Sequence, residues 1–409
     1  MKTAIKEIKV GLDFGSGVQS VGRLAIRNGI IYFEYDNDFL QTELEISPIK
    51  LPLQRGVVEL PRDPFEGLAG VFNDSLPDGW GRLLFDRMLR SEGILPSEVT
   101  PLDRLAHVGL HGLGALVYEP DKSPNFDDEI IDLDVLASQT KEVLEGGSDE
   151  VIAELLALNG SSAGARPKAL IGVDKERKNI SYGAHQLSDG FEPWMVKFPN
   201  SQDGNDSGAI EYVYALMAKE AGIAMPNVHL FSSQKGNGYF AVKRFDREGN
   251  ERLHMHTVSG LIHSNFRFPS LDYEDLLSLT SYLTKDIREV EKMFRLAVFN
   301  VMAHNQDDHA KNFSFLMNEL GEWKLSPAYD LTFSNGPGGE QSTMVLGEGR
   351  NITVKHLSKL GEEAQLSKEF IENVIEQTLS ALGKWQSLSK KYGVSDVNMQ
   401  LISKTISKF

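Results

Sequence analysis

Two hydrophobic patterns divide the chain into a β-rich first part and a largely helical second part. Residues 5–35 alternate between apolar and polar positions, and Asn28-Gly29 separates two apolar runs, which predicts strands joined by a two-residue hairpin turn. Residues 228–244 predict two further strands. Beyond them, apolar residues recur every three or four positions and predict helices over 272–283, 286–304, 368–388 and 396–407. A hairpin is predicted at 313–325, between the second and third of these helices.

Helical patterns also occur within the first part. Residues 65–90 have helical spacing interrupted at Pro77-Asp78-Gly79, and residues 133–158 have it interrupted at Gly146-Gly147. The polar, acidic run 120–132 is typical of a linker or an exposed loop. We therefore predict an α+β protein with domains at 1–125, 126–250 and 251–409.

Composition narrows the class of protein. The chain has 409 residues, a formal net charge of −16 and no cysteine, which excludes disulfides and thiolate metal sites. The sequence contains no apolar stretch of about 18 residues, so no membrane-spanning helix is predicted. The first residues lack a signal-peptide pattern, and we therefore expect a cytoplasmic protein. The acidic charge disfavours direct binding to nucleic acid.

The stretch from His304 to Leu331 concentrates the candidate chemistry. Asp307 and Asn312 are five positions apart, the spacing of a protein-kinase base and its Mg²⁺-binding Asn. Asp330 follows the predicted hairpin, where kinases have their second metal-binding Asp. Carboxylate and amide oxygens are hard ligands that suit Mg²⁺. Spacing alone leaves two alternatives, a polar helix cap and a metal hydrolase using a cluster of His304, Asp307, Asp308 and His309.

Residues upstream favour the kinase interpretation by their order. The small-residue loop 159–168 is equally consistent with a phosphate loop and with a hairpin turn. Lys197 ends an apolar strand, and Glu211 is expected in the first turn of the next helix, where it either complements the helix dipole or pairs with Lys197. The glycines of 109–114 fit a tight turn better than a phosphate cradle.

Several motifs resemble the HipA family of bacterial serine/threonine kinases, toxins of type II toxin–antitoxin systems. They are SSAGARPK (161–168), WMVKFP (194–199), VKRFDR (242–247), NQDDHAKNFSFL (305–316) and LSPAYDL (325–331). LPLQRG, FNDSLPDGWGR and VGLHGLGAL resemble the N-terminal subdomain of that family. The resemblance implies a protein-kinase-like two-lobe fold, with a β-rich N-terminal lobe carrying the extra subdomain and a mainly α-helical C-terminal lobe.

The same resemblance assigns roles to individual residues. It makes Asp307 the catalytic base, with Asn312 and Asp330 as Mg²⁺ ligands. Ser161 is the expected autophosphorylation site, with the adjacent Ser162 as the alternative. The implied ATP-binding residues are the phosphate loop Ala163, Gly164, Ala165, Arg166, Pro167 and Lys168, the phosphate-contacting Lys197, the hinge residues Lys243, Arg244 and Phe245, and His309, Lys311, Asn312 and Asp330.

The resemblance also implies partners. Family members phosphorylate translation components such as an aminoacyl-tRNA synthetase. They are neutralised by a small helix-turn-helix antitoxin, HipB-like, through which they reach operator DNA as corepressors. This chain departs from eukaryotic kinases by having Asn305-Gln306 in place of His-Arg, and from some family members by having Lys243 in place of an acidic residue. Two alternatives remain, a small-molecule kinase of the aminoglycoside-phosphotransferase type and a non-enzymatic corepressor.

Overall fold

A computed structural model describes most of the chain, namely residues 4–123, 130–147, 152–159, 164, 166–182, 187, 189–200, 204–249 and 251–409. The described residues fall into two units, each built from separate stretches of the sequence. Unit 1 lies within 1–203, 241–263 and 316–322, and unit 2 lies within 204–240, 264–315 and 323–409. Within the described ranges, no helix is long and apolar enough to cross a membrane.

The described residues form the following strands and helices. The strands are β1 Glu7–Asp13, β2 Val18–Arg27, β3 Ile30–Tyr35, β4 Val57–Glu59, β5 Leu116–Glu119, β6 Lys168–Asp174, β7 Ile180–Tyr182, β8 Phe191–Lys197, β9 Val228–Phe231, β10 Tyr239–Lys243, β11 Arg247–Glu248, β12 Glu251–Arg252, β13 His254–Thr257, β14 Leu271–Asp272, β15 Ser314–Met317, β16 Trp323–Leu325 and β17 Thr343–Met344. The helices are α1 Gly70–Asn73, α2 Gly79–Ser91, α3 Pro101–Val108, α4 Leu133–Leu144, α5 Ile152–Asn159, α6 Ser207–Glu220, α7 Val258–Ile262, α8 Tyr273–Thr284, α9 Ile287–Met302, α10 Val354–Glu363, α11 Lys368–Leu382, α12 Trp385–Lys391 and α13 Asp396–Ile406.

Unit 1 contains an antiparallel sheet in the order β4-β3-β2-β1-β5. The predicted hairpin at Asn28-Gly29 is confirmed, because both residues have positive φ (53° and 77°) and β2 pairs with β3 on either side of them. Ile8, Val10 and Leu12 in β1 are almost completely buried, whereas Glu7 and Lys9 between and before them are exposed and Gly11 is buried. A second sheet runs β7-β6-β8 and continues to β10 through residues 241–243.

Unit 2 is mostly helical. Asp272 and Asp286 accept backbone N–H hydrogen bonds at the starts of α8 and α9, as N-cap residues do. Met293, Phe294, Phe299 and Met302 are completely buried, and they form core as their helical spacing predicts.

Two predicted helix features were wrong. The helix expected over 368–388 is two helices, α11 and α12, which are separated at Gly383 and Lys384. Glu211 is not in the first turn of its helix, because α6 begins at Ser207, and its side chain is 2% exposed. A role in complementing the helix dipole is therefore ruled out for Glu211.

The glycine cluster at 109–114 is a tight turn bound by arginines from another part of unit 1. Arg247 donates hydrogen bonds of 2.8 Å to the carbonyls of Gly112 and Gly114, and Arg252 donates one of 3.0 Å to Gly114. The Gly114 N–H donates to Asp246. A phosphate cradle needs its N–H groups for the ligand, so the tight-turn interpretation is confirmed.

One buried histidine, His254, and one half-buried histidine, His263, make the stability of unit 1 sensitive to acid. The Nε2–H of His254 donates to the Ile46 carbonyl at 2.8 Å, and burial lowers the pKa of His254 to about 3. His263 accepts a hydrogen bond from the Gly70 N–H, and burial lowers its pKa to about 4. Both are neutral when folded, whereas the unfolded chain takes up protons below pH 6.5.

We expect this stabilisation to be complete above pH 6.5 and to be lost as the pH falls towards 4 and 3, at about 1.4 kcal/mol per pH unit for each proton. Urea unfolding at several pH values measures the slope. His254→Gln keeps a donor for Ile46 and should flatten the slope below pH 6.5. An equal slope in wild type and His254→Gln contradicts the prediction.

Candidate active site

The loop that carries Asp307 fixes the backbone of this residue and leaves its side chain exposed. The Asp307 N–H donates to the Ser334 hydroxyl at 3.1 Å. The side-chain amide of Asn312 donates to the Asp307 carbonyl at 2.8 Å, across the single helical turn of residues 310–312. The five-residue spacing therefore couples these two residues directly.

Asp308 has an entirely different environment from its neighbour. It is completely buried and accepts hydrogen bonds from the Tyr273 hydroxyl, the Gln341 amide (2.9 Å) and the Thr343 N–H (3.0 Å). Burial raises the pKa of this carboxyl to about 7, against the opposing effect of these donors. Asp308 is thus a structural anchor of the loop.

The metal-hydrolase alternative needs a cluster that the fold does not form. His304 stacks on Phe333, with ring centroids 5.2 Å apart, and its Nε2 lies 3.3 Å from the Asn335 side-chain oxygen. Asp308 is buried among neutral donors. Among the residues that the structure describes, no group of three or more His, Cys, Asp or Glu could hold a metal ion.

Asp330 is held in a strained backbone conformation. Its φ is 57°, in the left-handed region that Asp and Asn adopt more readily than most residues. Such strain clusters at functional sites. The neighbouring Tyr329 donates its hydroxyl to the Lys311 carbonyl at 2.7 Å, so the chain before Asp330 is fastened to the chain before Asn312. The side chains of Asp330 and Asn312 both carry oxygen atoms, and they fit a Mg²⁺ site of the kinase type, which takes few protein ligands.

His309 and Lys311 are organised around Phe266. The Lys311 Nζ lies 4.7 Å from the centroid of the Phe266 ring, and the His309 ring lies 5.2 Å from it. Lys311 is only 9% exposed. The His309 Nδ1 is buried and has no hydrogen-bond partner within the described part of the chain. Sequence reasoning missed Phe266.

In unit 1, two predicted phosphate-binding lysines lie opposite each other. Lys168 begins β6, Lys197 ends β8, and the two are register partners in the antiparallel pair. Residues directly opposite each other on paired strands carry their side chains on the same face of the sheet, so Lys168 and Lys197 lie on one face. The Lys168 Nζ lies 2.5 Å from the point where a Cβ on Gly164 would be, so the end of this side chain lies close to the Gly164 backbone.

The rest of the predicted phosphate loop is described only in part. Gly164 has a φ of 108°, donates its N–H to the Asp78 carboxylate and accepts a hydrogen bond from the Trp80 N–H at 3.2 Å. Pro167 accepts a hydrogen bond from the Phe198 N–H. Arg166 is half-buried, whereas Ser161, Ser162, Ala163 and Ala165 lie outside the described residues.

The predicted hinge uses its side chains within unit 1. Lys243 forms a 2.7 Å ion pair with Glu192. Arg244 binds Asp246 through two hydrogen bonds, of 3.0 and 2.7 Å, and both residues are buried. Together with Arg247, this pairing holds the pKa of Asp246 well below its usual range, against the opposing effect of burial. Phe245 is half-buried. The Arg244 guanidinium is therefore committed to a structural pair.

Helix α6 is fixed within unit 2 by contacts at its middle and before its first residue. The Tyr214 hydroxyl donates to the Ala303 carbonyl at 2.7 Å, just before the loop that carries Asp307. Before α6, Asp206 accepts hydrogen bonds from the Ser395 N–H and the Asn398 amide at the start of α13. These contacts fix the helix that carries Glu211, and the pairing of Glu211 with Lys197 stays a prediction.

The two units define a mixed α/β protein, and its fold is similar to a known one. A chain of the structure described as the Shewanella oneidensis MR-1 toxin–antitoxin system HipA, HipB and its operator DNA complex matches with a TM-score of 0.68. The two chains are 16% identical, and the match covers 98% of this chain and 95% of the other.

Sequence models give the family. A HipA-like C-terminal domain matches residues 160–385, and a HipA N-terminal domain matches residues 15–119. The chain belongs to the HipA family, as the motif resemblance predicted.

Two curated relatives come from Sinorhizobium fredii. The protein named "Putative kinase Y4mE" is 24% identical over 88% of this chain and 87% of its own length. The protein named "Putative kinase Y4dM" is 26% identical over 43% of this chain and 44% of its own length, so this match spans less than half of that relative.

Proposed function

We propose that this chain is an ATP- and Mg²⁺-dependent serine/threonine protein kinase and the toxin of a toxin–antitoxin module. The observation that carries the proposal is the geometry of Asp307 and Asn312. Asp307 combines an exposed carboxylate with a hydrogen-bonded backbone, and Asn312 is attached to its carbonyl. Such an arrangement suits a base that accepts a proton from an acceptor hydroxyl beside a metal-binding amide.

Each unit contributes its own part of this chemistry. In unit 2, Asp307 orients the acceptor hydroxyl and takes its proton, while Asn312 and Asp330 hold Mg²⁺. The metal ion neutralises charge on the phosphate oxygens during transfer. Lys311 and His309 face the nucleotide. In unit 1, Lys168 and Lys197 bind phosphate oxygens, and the backbone at Lys243–Phe245 lies beside adenine.

The biological setting is part of the same proposal. The protein is cytoplasmic and has two kinase lobes and an N-terminal subdomain, with the domain bounds given above. Its substrate is a translation component of the aminoacyl-tRNA synthetase class. Ser161, or Ser162 beside it, is autophosphorylated. A small helix-turn-helix antitoxin binds the chain and carries it to operator DNA as a corepressor. Family membership and the similar fold of the Shewanella oneidensis HipA–HipB–operator complex support this setting.

Labelling with γ-³²P-ATP and Mg²⁺ tests the proposal. We expect wild type to label itself and a band in a bacterial lysate, with mass spectrometry locating phosphate on Ser161 or Ser162. Asp307→Ala should label neither, because the base is gone. The control Asp275→Asn, an exposed Asp on α8, should behave as wild type.

Other outcomes select the alternatives. Phosphate transfer to an aminoglycoside without labelling of protein would support the small-molecule kinase. The absence of any transfer, together with tight antitoxin binding, would support the non-enzymatic corepressor. Equal labelling by wild type and Asp307→Ala would show that Asp307 is not the base.

A further inference from the structure

Three consecutive side chains that follow Asp330 donate hydrogen bonds to the backbone of the catalytic loop. The Gln341 amide donates to the Asn305 carbonyl at 2.7 Å, and the Ser342 hydroxyl donates to the Gln306 carbonyl at 2.8 Å. The Thr343 hydroxyl donates to the Asp308 carbonyl. All three donors are at most 5% exposed. Buried polar groups are normally retained where they have partners, and here the partners are the loop carbonyls.

Two of these residues, Gln341 and Thr343, also hold the Asp308 carboxylate. The Gln341 amide reaches one of its oxygens at 2.9 Å, and the Thr343 N–H reaches the other at 3.0 Å. Asp308 therefore points into the core while the adjacent Asp307 is exposed. Fixing one side chain inward fixes the direction of its neighbour on the loop.

The peptide groups on both sides of Asp307 are held by hydrogen bonds. The carbonyl before it binds Ser342, and the carbonyl after it binds Thr343. Its own N–H binds Ser334, and its own carbonyl binds Asn312. Reorientation of the backbone that carries the Asp307 side chain would require breaking several of these bonds together.

We propose that Gln341, Ser342 and Thr343 are positioning residues that hold the Asp307 loop in its reactive orientation. The inference rests on the proposed function and adds residues to it. The three side chains are neutral donors, so they fix the loop without adding charge beside the base. They serve in a loop where Asn305-Gln306 replaces the His-Arg of eukaryotic kinases.

Thr343→Val removes one hydroxyl with little change of shape and tests the proposal. We expect kcat to fall about 10- to 100-fold, because small misplacements of a reacting group are costly, while KM for ATP stays unchanged. Amide hydrogen exchange of the peptide covering 304–309 should become about 10-fold faster. Thr343→Ser restores the donor and should recover both values.

Thr378→Val is the matched control. Thr378 is also completely buried and donates its hydroxyl to a backbone carbonyl, that of Val374 at 2.8 Å. This variant should lose stability without changing kcat or loop exchange. Ser342→Ala keeps the Ser342 N–H bond to Gln306, so it is the milder variant if Thr343→Val does not fold.

Unchanged kcat and unchanged loop exchange in Thr343→Val and Ser342→Ala would overturn the inference. Equal loss of kcat in Thr378→Val would also overturn it, since general destabilisation would then explain the effect. Faster loop exchange in Thr343→Val, combined with a wild type that transfers no phosphate, supports the positioning contacts and overturns the proposed function instead.

Discussion

Asp330→Asn is expected to lower kcat for phosphoryl transfer by about 10²- to 10⁴-fold, since metal ligation supplies several kcal/mol of transition-state stabilisation. The substitution isolates the charge. Asp330 has a φ of 57°, and Asn tolerates this left-handed conformation as well as Asp does, so the backbone stays in place. Asp330→Ala would add backbone strain, so the effect of the lost charge could not be separated from the effect of the strain.

The measurement is kcat at saturating ATP over a range of Mg²⁺ concentrations. A lost ligand should also raise the Mg²⁺ concentration needed for half-maximal rate. The control is Asp396→Asn, which removes an exposed carboxylate from the first turn of α13. Unchanged kcat and Mg²⁺ dependence in Asp330→Asn would remove Asp330 from the metal site.

Gly70→Ala is expected to destabilise unit 1 by about 3 kcal/mol, the upper part of the range for overpacking. A Cβ at Gly70 would lie 2.1 Å from the Gly260 carbonyl oxygen and 2.5 Å from its Cα, so α1 and α7 must separate. Separation also strains the contacts of Asp74, which accepts hydrogen bonds from the N–H and the hydroxyl of Thr257, both at 2.7 Å.

Urea unfolding of the full chain measures this loss. Gly349→Ala is the control, because its new Cβ would meet its nearest neighbour, the Glu340 carboxylate, at an ordinary 3.5 Å. A variant of Gly70 with wild-type stability would mean that α1 and α7 can move apart without cost. Gly260→Ala should also destabilise, because its Cβ would lie 2.5 Å from the Asp74 carboxylate.

Local features of the fold could be predicted because their causes are local. The Asn28-Gly29 turn depends on two residues that accept positive φ, and the caps of α8 and α9 depend on single Asp side chains. The discontinuous make-up of unit 1 could not be predicted. The bonds between Asp74 and Thr257 join residues 183 positions apart, and such a contact leaves no periodic pattern in the sequence.

The errors in the helix predictions also have physical reasons. Helix α10 was missed because Gly361, a poor helix former, lies inside it. The structure retains this glycine since a Cβ there would lie 2.6 Å from Ile371. The break between α11 and α12 was missed because buried Trp385 continues the apolar spacing of α11 across the gap.

For the candidate site, sequence spacing singled out Asp307, Asn312 and Asp330 as candidates, because protein kinases carry a base and two metal ligands in this order. It gave no indication of Tyr329, Ser334 or Phe266, which act on the site through the backbone or through a ring. Such residues are common types at no fixed spacing. Sequence spacing also cannot distinguish adjacent residues of the same type, since Asp307 is an exposed candidate base and the neighbouring Asp308 is buried and anchors the loop.

The attachment of residues 341–343 also bears on regulation. In eukaryotic kinases, the segment after the second metal-binding Asp is switched by phosphorylation. Here Ser342 and Thr343 are 5% and 0% exposed, and both hydroxyls are already hydrogen-bonded to the loop. A phosphate on either would need to break those bonds and bring charge into the core. Phosphorylation of either hydroxyl is therefore incompatible with the packing of this segment, and we do not expect Ser342 or Thr343 to act as the phosphorylation switch of eukaryotic kinases.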